Sequence, residues 1–322
     1  MGKRYFFLKR IVKAMRTFIC ACLSFVSLHS ITHHTTYRSD GSEIIWHLSL
    51  PQKEPYTLVV LSEGSYEAFA KTKSVLHLHK IFEPLLVPRG FGLITIEKWG
   101  VTPEGVDTQA FHEHNTRSQR IADHKTVLDA LQVQGLTGLM TRCTYVFIGG
   151  SEGGDIMIEL MAHYADRTRA GINFAGAGAH GAYGEIWACV QQMRIEGSCL
   201  TRLYMWWESI PKTYAEYNKQ IDMMCADPSP EKWWFGQTYR YWADAFTRTV
   251  DFERIYASKI PLLVIMGTKD SGIASCDIFV ERAKERGVPI TYWRIDDMGH
   301  SVSKSRPVLF EQSIDWLCSL TR

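Results

Sequence analysis

The 322-residue sequence contains no internal repeat, no low-complexity stretch and no stripe of basic residues in its body. The first two leave ordinary sequence complexity, and it is the balance of apolar and charged residues that argues against a disordered chain. The third removes the clustered Lys and Arg that a nucleic-acid surface needs to meet phosphates. Charged residues make up 22% and apolar residues 46%, which excludes a collagen-like or multi-span membrane chain. The N-terminal apolar run Phe18–Leu28 is also short, 11 residues. A membrane-spanning helix needs about 20. What remains is a chain long enough to bury a sizeable core, as one large domain or two ordinary ones.

The positive features begin with the first thirty residues. They hold Lys3, Arg4, Lys9, Arg10, Lys13 and Arg16 and no acid. Without these six, 30 basic stand against 34 acidic residues, so the body carries about −4. A basic stretch followed by a short apolar run has the form of a signal peptide, with Met15 as a second start and Ser30 as a cleavage point. Residues 1–30 are therefore expected to be a leader of a secreted or periplasmic protein, with no stable membrane span after its removal. An uncleaved anchor and a basic leader without export are the alternatives. Six cysteines follow the leader: Cys143, Cys189, Cys199, Cys225, Cys276 and Cys318. Export permits disulfides, and a bridge among the clustered Cys189, Cys199 and Cys225 is weighed against buried thiols.

After a polar spacer, Thr32 to Ser42, apolar runs alternate with helix-like segments. Strands are expected at 43–48, 57–62, 91–99, 143–150, 170–177, 260–267 and 290–296, and helices at 74–82, 118–134, 156–165, 276–287 and 309–320. Ser118 is a candidate N-cap. The alternation implies an α/β fold, a mostly parallel sheet with helices on both faces. The alternation breaks over 178–254, which holds Trp187, Trp206, Trp207, Trp233, Trp234 and Trp242. The expected organisation is an α/β core over 31–177 and 255–322, interrupted by a helical insertion over 178–254. Trp206, Trp207, Trp233 and Trp234 are candidates to line an apolar acyl or aryl pocket; rings that merely glue the insertion to the body are the alternative.

Gly149-Gly150-Ser151-Glu152-Gly153 places a serine between a buried strand and a helix in a G-x-S-x-G pattern. A sharp strand-to-helix turn strains the serine backbone and exposes Oγ, and Cβ atoms two residues either side would collide with neighbouring backbone. A serine hydroxyl needs a base, and the base needs an acid to fix its tautomer. His300 follows the late strand ITYWRID, and Asp270 follows PLLVIMG. Ser151, Asp270 and His300 thus stand in the order nucleophile, acid, base, at the carboxyl ends of successive strands, where open α/β sheets bind ligands. Asp296 and Asp297 are rival acids whose closeness to His300 suits them to shaping its loop.

With GGSEGG, GTKD and DDMGHS in these places, residues 43–322 resemble the α/β-hydrolase superfamily. The doubled Gly153-Gly154 is similar to the dienelactone-hydrolase and prolyl-oligopeptidase-type branches. The resemblance implies Ser151 as nucleophile, Asp270 as acid and His300 as base. It also implies an oxyanion hole from the backbone N–H of Glu152 and that of Gly64 or Ser65, although Ser62-Glu63-Gly64 stands where His-Gly is common. Glu63 and Glu152 put two carboxylates beside this hole. Either their side chains point away, or they attract a cationic substrate group such as a peptide amine. His77-Leu-His79 and His112-Glu-His114 have no evident third metal ligand and read as surface or packing histidines. The expected function is a serine hydrolase that cleaves a carboxylic ester through an acyl-enzyme. The same triad in a peptidase, thioesterase or acyltransferase is the alternative, and a non-catalytic binding protein is a different class. The expected partner is a small acyl ester or peptide, with no cofactor, metal or nucleic acid.

Overall fold

The computed structural model describes residues 31–52, 57–65, 73–134, 143–176 and 178–320. The expected leader over 1–30 lies outside them. In chain order the strands are β1 (Thr32–Tyr37), β2 (Glu43–Ser49), β3 (Thr57–Ser62), β4 (Gly92–Ile96), β5 (Thr144–Gly150), β6 (Thr168–Phe174), β7 (Trp233–Trp234), β8 (Gln237–Thr238), β9 (Leu262–Gly267) and β10 (Ile290–Ile295). Eight of them form one sheet in the order β1-β2-β4-β3-β5-β6-β9-β10. β2 pairs antiparallel with β1 and β4, and the remaining pairs are parallel. Every residue of β3, β4 and β9 is buried. Successive side chains of a strand point to opposite faces, so both faces of the sheet's centre are covered. Helices Leu76–Leu86, Glu152–His163 and Ile273–Glu285 pack on β4, on β5 and β6, and on β9 and β10 respectively.

The chain leaves β3 for β4 on one side and β5 for β6 on the other, while β3 and β5 are direct neighbours. Their carboxyl ends therefore flank a topological switch point, where the connections diverge and leave a crevice.

The first strand was hidden in the expected spacer. Thr32–Tyr37, THHTTY, is polar, but its Thr residues are β-branched, and an edge strand needs cover on one flank only. Thr36 Oγ1 accepts the Trp46 indole N–H at 3.0 Å, and His34 stacks on Trp46 at 4.3 Å. The Ser118 cap fails for a local reason, and the cysteines take one of the two states weighed for them. Thr116, rather than Ser118, receives a first-turn amide, from Gln119 at 3.1 Å, while the Ser118 N–H donates to Asp244 at 3.0 Å. Cys189, Cys199 and Cys225 are thiols and not a bridge.

Between β6 and β9 run the helices Gly181–Glu196, Cys199–Trp207, Tyr214–Ala226, Tyr239–Thr247 and Phe252–Ser258, with the β7–β8 ribbon among them. Val190, Met205, Tyr217, Met224, Trp234 and Trp242 belong to an apolar cluster of their own, separate from that of the sheet. The long polar-edged helix Arg117–Gln134 meets this insertion through Asp244, and Arg248 reaches Glu159 of helix Glu152–His163. Among the described residues, no helix is long and apolar enough to cross a membrane.

Candidate active site

Ser151 sits between β5 and helix Glu152–His163 with φ 53° and ψ −127°. A β-carbon-bearing residue adopts such a conformation only where its surroundings impose it. Those surroundings are glycines. A Cβ at Gly149 would stand 2.1 Å from the Gly153 carbonyl oxygen, and one at Gly153 would stand 2.1 Å from that of Ser62. The two glycines therefore let the turn fold tightly on itself and against the end of β3. The Ser151 N–H donates to Phe174 O at 2.9 Å, and its carbonyl accepts from Gly154 at 2.8 Å. Ser151 is thereby locked at the amino end of a helix, where unpaired N–H groups and the helix dipole favour negative charge.

Three expected residues meet here. His300 Nε2 lies 2.9 Å from Ser151 Oγ, and His300 Nδ1 lies 2.8 Å from Asp270 Oδ2. The other Asp270 oxygen accepts the Gly272 N–H at 2.9 Å, so both oxygens are committed and the carboxylate cannot rotate freely. Asp270 is buried and the imidazole is 58% exposed. The hydrogen bond and charge of Asp270 raise the His300 pKa above the ordinary histidine value, outweighing the desolvation that lowers it. Gly267 makes the approach possible, since a Cβ there would stand 2.1 Å from Met298 O in the His300 loop. Asp297 helps shape that loop. It takes φ 61°, donates its N–H to Thr268 Oγ1 at 3.0 Å and pairs with Lys269 at 3.0 Å.

A cavity of about 180 Å³ opens beside Ser151 and His300. Leu61, Leu78, Phe82, Phe174, Val302 and Phe310 make its apolar wall, and Gly64 adds backbone. A Cβ at Gly64 would be 3.0 Å from Ser151 Cβ, so this loop passes directly against the serine. Ser65 follows in the chain and is exposed. None of Trp206, Trp207, Trp233 or Trp234 lines this cavity. Trp234 is buried inside the insertion, and Trp206, Trp207 and Trp233 are exposed on it. The expected aromatic pocket is replaced by phenylalanines of the core.

The two carboxylates beside the serine turn away into buried ion pairs. Glu63 meets Lys98 Nζ at 3.1 Å. Glu152 receives Arg120 at 2.7 Å, Arg117 at 3.2 Å and the Tyr241 hydroxyl at 2.8 Å. Burial works against the Glu152 charge, but Arg120, Arg117 and Lys98 outweigh it and hold its pKa below the ordinary value. Burial likewise lowers Lys98 to about 8 despite the Glu63 charge. A free attraction for a cationic substrate is therefore set aside. Arg120 does more than neutralise Glu152, because its other nitrogen donates to Glu63 O at 2.6 Å. Lys98 donates to Gly64 O at 2.7 Å. Arg120 ties the Glu63–Gly64 loop to the residue after Ser151, and Lys98 holds the same loop through Glu63 and Gly64. Arg117 and Arg120 escaped the sequence reading, although their i, i+3 spacing marks a shared helix face.

The paired histidines have other duties. His79 is buried between Thr95 Oγ1 at 2.8 Å and Ser49 Oγ at 2.9 Å, and His77 bonds Ser74 O at 2.9 Å. His114 stacks on Trp99 and His112 abuts Trp233. No group of three metal-ligating side chains occurs among the described residues.

No family model matches the chain, and no curated protein matches it by sequence. Solved structures do. A thermostable carboxyl esterase from Bacillus coagulans shares 15% identity with a TM-score of 0.59, over 90% of this chain and 99% of that one. Carboxyl esterase 2 of Tuber melanosporum shares 12% with a TM-score of 0.59, over 92% and 87%. Proline iminopeptidase of Mycobacterium smegmatis shares 14% with a TM-score of 0.57, over 89% and 98%. Sheet order, insertion and likeness agree: this chain has the α/β-hydrolase fold.

Proposed function

We propose that the protein is a serine hydrolase that cleaves a carboxylic ester through an acyl-enzyme. The observation that carries this reading is the hydrogen-bonded chain Ser151–His300–Asp270 on a strained turn at the sheet's switch point. His300 Nε2 takes the Ser151 proton as Oγ attacks the ester carbonyl, and returns it to the departing alkoxide. Asp270 holds the tautomer in which Nδ1 carries hydrogen and stabilises the imidazolium that forms. The tetrahedral oxyanion is received by the Glu152 N–H and by that of Gly64 or Ser65, at the positive end of the helix. Water then repeats the sequence on the acyl-enzyme and frees the acid.

The cavity of about 180 Å³ with its apolar wall suits a short acyl group. Short-chain esters are accordingly expected to outpace long-chain esters, amides and thioesters. Labelling with a fluorophosphonate tests the nucleophile, with Ser151→Ala and His300→Ala as controls. Label on the wild type that disappears from the Ser151 variant supports the proposal. A folded wild type that takes no label is instead a binding protein on a hydrolase fold. The basic, then apolar, leader supports export, and N-terminal sequencing of the mature protein tests it.

A further inference from the structure

The insertion buries one set of aromatic rings and leaves another uncovered. Tyr217, Trp234, Tyr241 and Trp242 are no more than 4% exposed. Helix Cys199–Trp207 gives only Met205 to that core. It turns Leu200, Leu203, Trp206 and Trp207 outward at 77%, 58%, 72% and 77% exposure. Their spacing puts all four along one side of the helix. Ile195, near the end of the preceding helix, is 75% exposed as well. Apolar residues exposed one by one need no explanation, but a contiguous ridge marks a contact surface.

Beside the ridge runs a groove of about 750 Å³ that shares Trp206 with it. Arg194, Arg202 and Lys212 supply its positive charge, and Met205 and Ile210 its apolar floor. The acid in its wall, Glu216, is already engaged by the N–H groups of Lys212 at 2.6 Å and Thr213 at 3.3 Å. Arg194 also braces the groove by donating to Ile210 O at 3.0 Å. An apolar, tryptophan-bearing ridge thus lies against a cationic trough.

We propose that this face docks on a lipid–water interface bearing anionic headgroups. Leu200, Leu203, Trp206 and Trp207 enter the boundary between headgroups and acyl chains, and Arg202 and Lys212 meet the phosphates. Tryptophan suits that boundary, since its ring is apolar while its N–H still seeks a polar partner. A second copy of the chain fits less well. A two-fold contact of this face with itself would bring two copies of the same positive groove together. The inference does not depend on the proposed reaction, since none of these residues lines the cavity at Ser151.

The test is co-sedimentation of the full chain with vesicles of phosphatidylcholine, alone or mixed with phosphatidylglycerol. Tryptophan quenching by brominated acyl chains is followed in parallel. The wild type is expected to favour the mixed vesicles. Trp206→Ser with Trp207→Ser should weaken binding about tenfold or more and abolish most of the quenching. Arg202→Gln and Lys212→Gln should each lower the preference for mixed vesicles about fivefold while leaving binding to phosphatidylcholine unchanged. The leader is common to every variant, so its contribution cancels in the comparison. None of the four positions lines the cavity at Ser151 and all four side chains are exposed, so fluorophosphonate labelling and Tm should not move, which separates this test from that of the reaction. Vesicle binding that is absent from the wild type, or equal in wild type and double-Trp variant, overturns the proposal. So does a wild-type dimer that the double-Trp variant loses, which would assign the face to a second copy.

Discussion

His300 owes its chemistry to the residue behind it. The Asp270 hydrogen bond stabilises the imidazolium and raises the His300 pKa above its ordinary value. In the proposed reaction His300 is the general base and works only when unprotonated, so turnover is expected to fall as pH drops through that raised value. In Asp270→Asn the anion is gone, the His300 pKa falls, and the acid limb of kcat/KM should move to lower pH. The plateau rate should fall about 10³–10⁴-fold as the tautomer is lost. An acid limb that stays in place in the variant would show that another group governs it. Arg120 acts differently, as a positioning residue that holds Glu63 O and the Glu152 carboxylate together. Arg120→Met leaves the buried Glu152 carboxylate with Arg117 and the Tyr241 hydroxyl but takes the partner from one of its oxygens and from Glu63 O, and should destabilise by about 1–3 kcal/mol, read by urea unfolding. Arg120→Lys keeps the charge but not the fork, so stability should largely return while kcat stays low at unchanged KM. A full return of kcat in the lysine variant would reduce Arg120 to a counter-ion.

At the scale of elements, the β5–turn–helix unit carries its information locally, and that is why it is legible in the sequence. The collisions that exclude a side chain at Gly149 and Gly153 involve residues within the turn and the neighbouring end of β3. Gly149 answers to the turn itself and Gly153 to the end of β3, so the five residues mark the turn only in their setting between a buried strand and a helix. Gly153→Ala should force the turn away from the Ser62 and Glu63 carbonyls, lower stability by several kcal/mol and cut labelling of the residual folded protein. A Gly153→Ala variant with native Tm and native labelling would mean that the turn is far more pliant than its backbone distances imply. The ion-paired layer beneath the turn is not legible in the same way. Arg117 and Arg120 have the look of a solvated helix face, and Lys98 ends an apolar run. Their partners Glu152 and Glu63 are distant in sequence, at 32 to 35 residues. β1 was missed for the opposite reason, since an edge strand can be polar and still pair through its backbone.

For the whole molecule, alternation of strands and helices announced the sheet, and the break in that alternation announced the insertion. Composition could not say which aromatic rings would face inward: Trp234 and Trp242 are core, while Trp206 and Trp207, adjacent in sequence, are both outside. The cysteines pose the same problem, because a cluster in sequence fixes neither distance nor redox state. In the structure Cys199 is exposed, Cys143 and Cys276 are buried, and burial pushes Cys276 up to about 12. The thiolate is the reactive form, so alkylation of the native protein should modify Cys199 first and Cys276 only on unfolding, read by peptide mass spectrometry. A bridge among Cys189, Cys199 and Cys225 would contribute about 2–4 kcal/mol, and reduction would then lower Tm by several degrees. The thiol structure predicts the same Tm with and without reductant. A fall in Tm together with protection of Cys199 from alkylation would restore the bridge. A bridge from Cys199 would then tie the helix that presents Leu203, Trp206 and Trp207 to Gly181–Glu196 or Tyr214–Ala226.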